Sequence, residues 1–60
     1  MQKIIVYKFK RFDMKKGDMV SAPRMATLEA IFSIKGTPLL NTGIEVELSE
    51  IDDNGFYLKT

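Results

Sequence analysis

Sixty residues without cysteine or histidine exclude a disulfide and a conventional zinc site, so stability must come from one small core or from association with another chain. Nine Lys and Arg against eight Asp and Glu leave a net charge of +1, short of what a typical nucleic-acid-binding domain carries. That balance hides a split: residues 1–36 hold eight cations against Asp13, Asp18 and Glu29, whereas residues 37–60 hold Lys59 against Glu45, Glu47, Glu50, Asp52 and Asp53.

The opening Met1-Gln2-Lys3 leads into an apolar run of only three residues, Ile4-Ile5-Val6. That is too short for a signal-peptide core or a membrane span. The expectation is a single soluble domain over residues 1–60, cytoplasmic, of a size that suits a small bacterial or phage accessory protein.

Lys3 to Phe12 is rich in Ile, Val, Tyr and Phe and reads as a strand. Its odd positions Ile5, Tyr7 and Phe9 form the expected core face, and the even positions Ile4, Val6, Lys8, Lys10 and Phe12 form the other. Asp13 to Asp18 reads as a turn, with Gly17 free to take positive φ, and Met19-Val20-Ser21 as a short returning strand. Together they predict a hairpin with a loop of about five residues.

The one helix should follow Ser21 or Thr27 as cap, with Pro23 tolerated in a first turn. Met25, Leu28, Ile31 and Phe32 make its apolar stripe, Gly36 suits the position after its end, and Pro38 stops it, predicting about ten to fourteen residues. Leu39 to Gly43 reads as an extended connection. Ile44 to Leu48 alternates cleanly as a half-buried strand, with Ile44, Val46 and Leu48 inward and Glu45 and Glu47 outward. Asn54-Gly55 fits the centre of a type I′ turn returning into Phe56-Tyr57-Leu58.

The expected fold is α+β, a small antiparallel sheet of three to four strands with one α-helix packed on one face, in the order β-β-α-β-β. Its core should hold Ile5, Tyr7, Phe9, Val20, Leu28, Ile31, Phe32, Ile44, Val46 and Leu48. The other sheet face, with Ile4, Val6 and Phe12, is left uncovered, which points to a homodimer.

Several groups of residues carry possible chemistry. Lys8, Lys10, Arg11, Lys15, Lys16 and Arg24 gather around the first strand, the hairpin turn and the helix start, where cations can neutralise phosphates. Met14, in the turn, adds an adaptable apolar contact. Tyr7 and Phe9 fall on the strand face opposite Lys8 and Lys10, which separates stacking from charge. Among the acidic residues, Asp52-Asp53-Asn54-Gly55 resembles the start of a calcium loop, but the twelve-residue spacing runs past Thr60. The simplest use of both sets is mutual: Glu45 and Glu47 facing Lys8 and Lys10 across adjacent strands, or doing so between two subunits.

Catalysis lacks its usual tools. There is no His or Cys, Ser21, Ser33 and Ser49 have no base nearby in sequence, and Gly17, Gly36, Gly43 and Gly55 are too dispersed for a phosphate loop. The expectation is therefore a non-catalytic interaction or regulatory module without cofactor or metal, a homodimer that binds another protein. The alternative is a nucleic-acid-binding accessory protein using the basic hairpin end. No membrane partner is expected. In either case the binding surface is Lys8, Lys10, Arg11, Met14, Lys15, Lys16 and Arg24.

Overall fold

Two small antiparallel sheets and one short helix make up the chain in a computed structural model that describes residues 2–58. Lys59, the lone cation of the acidic half, lies outside the described residues. The architecture is α+β, as the alternating patterns predict. The expected single sheet is divided, however, because the first strand is interrupted at its middle.

Strand β1 (Lys3–Val6) pairs antiparallel with β5 (Ile44–Glu47), with Lys3 opposite Glu47, Ile4 opposite Val46, Ile5 opposite Glu45 and Val6 opposite Ile44. Strand β2 (Phe9–Asp13) lies between β3 (Asp18–Ser21) and the two-residue β4 (Thr37–Pro38), antiparallel to both. At Tyr7 and Lys8 the backbone changes partners. Tyr7 exchanges both hydrogen bonds with Ala26, at 2.8 and 3.1 Å. The Lys8 N–H donates to Thr42 Oγ1, and its carbonyl accepts from the Leu39 N–H. Side-chain alternation therefore restarts, and Val6 and Phe9, three residues apart, are both buried.

That restart corrects the expected core. Val6 is fully buried, while Ile5 turns to the exposed outer face with Lys3, Glu45 and Glu47. The buried apolar residues are Val6, Phe9, Ala26, Ala30, Ile31 and Val46. Tyr7, Val20 and Leu28 are half-buried; Phe32, Ile44 and Leu48 are exposed. Phe9 and Phe56 meet edge to face at 6.1 Å beside Ala26 and Ile31.

Helix α1 (Leu28–Ser33) has six residues, not ten to fourteen, and starts at the later cap. Thr27 Oγ1 accepts from the Ala30 N–H at 3.2 Å. The earlier start from Ser21 is ruled out by pairing: Ala26 bridges Tyr7 on one side and Phe56 on the other, and the Met25 carbonyl accepts from the Tyr57 N–H. Residues 25–27 must be extended to make those bonds. The resulting helix is about 9 Å long and cannot cover two sheets, which leaves Phe32 and Ile44 exposed.

The helix ends in a Schellman arrangement. The Gly36 N–H donates to the Ile31 carbonyl and the Lys35 N–H to that of Phe32, with Lys35 in the left-handed region at φ 59°. The expected αL glycine thus stands one residue too late. Gly36 serves close packing instead: a Cβ there would lie 3.0 Å from Phe9 Cδ2 and 3.1 Å from the Lys10 carbonyl oxygen.

The hairpin loop is Met14 to Gly17, with Gly17 at φ 67° as expected. Asp13 Oδ1 accepts from the Lys15 and Lys16 N–H groups and holds the turn. Leu39 to Gly43 includes a 3₁₀ turn at Leu40–Thr42. A second 3₁₀ turn, Leu48–Glu50, is closed by a capping box between Glu47 and Glu50 and takes Leu48 out of the strand.

The Asn54-Gly55 turn is also corrected. Asp52 Oδ1 accepts from the Asn54 and Phe56 N–H groups, and Gly55 donates to the Asp52 carbonyl. Gly55 has φ 88° while Asn54 stays at negative φ, so this is not the type I′ turn, which needs both positive.

Gly55 also lies against the helix start. A Cβ there would sit 2.9 Å from both Ala30 Cβ and Thr27 Oγ1, whereas Gly17 has nothing within 4 Å. Gly55→Ala should cost about 3 kcal/mol, combining backbone strain with overpacking, and Gly17→Ala about 1 kcal/mol from strain alone. Chemical denaturation at fixed protein concentration checks the pair, and equal losses would refute the packing role. Lys35→Gly should stabilise by about 1 kcal/mol, read as a rise of several degrees in Tm.

Candidate functional site

The molecule is elongated, 41 × 23 × 19 Å. Residues 3–13 run extended apart from the break at Tyr7 and Lys8, a path of roughly 35 Å, so the β1–β5 sheet and the hairpin turn sit toward opposite ends. The acidic strand β5 therefore lies far from the basic turn. Lys8 and Lys10 do not face Glu45 and Glu47, because β5 pairs with the first half of the strand only. The contact that does form is Lys3 Nζ to Glu45 Oε1 at 3.9 Å. Both side chains are more than half exposed, so it contributes at most about 1 kcal/mol.

All seven residues of the expected binding surface are exposed, but they fall into three groups. Met14, Lys15 and Lys16 form the hairpin tip, with Met14 88% exposed. Lys8 and Arg24 line a groove of about 370 Å³ with Phe9, Met25 and Leu39. Arg11 and Arg24 line an adjoining hollow of about 250 Å³ with Ile34 and Phe56. Lys10 stands apart, since strand alternation directs it away from Arg11.

Phe12 and Met19 lie directly opposite one another on the Lys10 face of the hairpin, both exposed. Phe12 was legible as an uncovered even position. Met19 was not, because three apolar or small residues give no phase until their partner strand is known. On this face ring and cation converge, which Tyr7 and Phe9 could not provide. Asp13 and Asp18 pair with each other on the opposite face, and their Oδ1 atoms accept backbone N–H groups of Lys15, Lys16 and Met19. Among the described residues, no carboxylate forms an ion pair with Lys8, Lys10, Arg11, Lys15, Lys16 or Arg24.

The acidic residues make no ligand cage. Asp52 is committed to its turn, and among the described residues no group of three or more His, Cys, Asp or Glu side chains is placed to hold a metal ion. Among the same residues no helix is long and apolar enough to cross a membrane. Comparison with protein-family models, curated proteins and solved structures finds no match to this chain.

Proposed function

We propose that the chain is a non-catalytic interaction module that works as a homodimer and presents the tip of its hairpin, Met14 with Lys15 and Lys16, to another protein. The observation that supports this reading is surface left uncovered. The accessible area is 4556 Å², whereas a folded monomer of 6.8 kDa presents about 4,000 Å². The excess, roughly 600 Å², approaches the roughly 800 Å² that each partner buries in a standard interface. Phe12, Met14, Phe32, Leu40 and Leu58 are all more than half exposed, while two of the six buried apolar residues are alanines. A second chain over part of that surface supplies the burial that so small a core lacks.

Sedimentation equilibrium at micromolar concentration should give about twice the 6.8 kDa chain mass. The thermal midpoint should also rise with protein concentration, because dissociation accompanies unfolding. A 6.8 kDa species with a concentration-independent midpoint would remove the homodimer.

A second reading, in which the hairpin binds single-stranded nucleic acid, is favoured by Phe12 sharing an exposed face with Lys10 near Lys15 and Lys16. Anisotropy of a labelled oligonucleotide should then show affinity falling with salt. Lys15→Gln and Lys16→Gln should each lower the log–log slope by about 0.7, and Phe12→Ala should weaken binding about fivefold or more. Absence of binding at low salt disposes of this reading.

A further inference from the structure

Among the described residues, the charge split is answered within the chain only where Lys3 meets Glu45. Lys8 and Lys10 lie beyond the end of the β1–β5 ladder and stay exposed, as does Glu45. The outer face of the β2–β3 hairpin carries Lys10, Phe12 and Met19, with Lys15 and Lys16 at its tip and its carboxylates turned to the other side. The outer face of the β1–β5 sheet carries Ile5 with Glu45 and the half-buried Glu47, which accepts the Glu50 N–H, and is offset by Lys3. Both are sheet faces with an apolar centre, and they differ in the sign of their charge.

We infer that in the homodimer the two copies lie antiparallel, the hairpin face of each resting on the β1–β5 face of the other. This rests on the homodimeric reading above and names its surfaces. A two-fold axis makes the contact twice, so a molecule whose ends are opposite in sign closes on itself without leaving a free complementary end. Phe12 and Met19 meet the partner's Ile5, and Lys10 meets the partner's exposed Glu45. Charge complementarity sets the orientation, because a parallel arrangement would place like-charged ends together.

A charge swap tests this. Lys10→Glu and Glu45→Lys should each weaken self-association by about tenfold or more, since each homodimer then opposes like charges twice. An equimolar mixture of the two variants should restore association, because both contacts of the mixed dimer again join opposite signs. Wild-type dimerisation should weaken between roughly 0.05 and 0.5 M salt as screening shortens. Far-ultraviolet circular dichroism of each variant checks that the fold persists. A wild-type monomer would overturn the homodimer itself. A salt-insensitive dimer, or variants that associate as wild type does, would overturn only the antiparallel charge-matched contact. Variants that weaken association without mutual rescue would overturn it too.

Discussion

Ala26 is held by its backbone between two segments distant in sequence, Tyr7 on one side and Phe56 on the other, and it is fully buried. Neighbouring bonds extend the seam: Thr27 donates to Gly55 and Tyr57 donates to Met25. Because residues 25–27 are extended, the helix starts at Leu28. Because the helix starts there, Ala30 and Ile31 meet Phe9. Because Tyr7 pairs with Ala26, the first strand changes phase and the sheet divides. A side chain larger than alanine at the crossing would force these three segments apart.

The glycines reinforce the same seam. Gly55 lets its turn approach the Thr27 cap, and Gly43 lies so close to Tyr7 that a Cβ would come within 2.7 Å of the ring. The seam also sets the distribution of charge. With the β1–β5 sheet toward one end and the hairpin toward the other, attraction between the two charged sets among the described residues is limited to Lys3 and Glu45. The homodimer proposed above would use them between chains. The hairpin end accordingly combines cations that form no ion pair among the described residues with exposed apolar side chains.

Much of the local structure was legible. The hairpin with Gly17, the alternation of Ile44 to Val46, and the Thr27 cap as the later of two starts all follow from short-range patterns. The exposed basic residues were legible as well, since charged side chains rarely lie in a core. Two differences share one cause: Ile5 faces outward, and Glu45 and Glu47 do not face Lys8 and Lys10, because Lys3 to Phe12 changes phase and partner at Tyr7 and Lys8. The helix is shorter than its apolar stripe implies because residues 25–27 pair with distant backbone instead.

The amino-acid sequence by itself determined an α+β chain, the positions of its turns, and a division of charge between its two parts, because propensity, alternation and glycine placement act over a few residues. Tertiary structure alone decided where the phase restarts, how late the helix begins, and that the opposite charges stand apart. Those outcomes depend on which distant backbone groups satisfy Tyr7, Lys8 and Ala26, and competition among long-range hydrogen bonds leaves no periodic trace in the sequence. The same competition placed Met19 beside Phe12 and Lys10 on an open face.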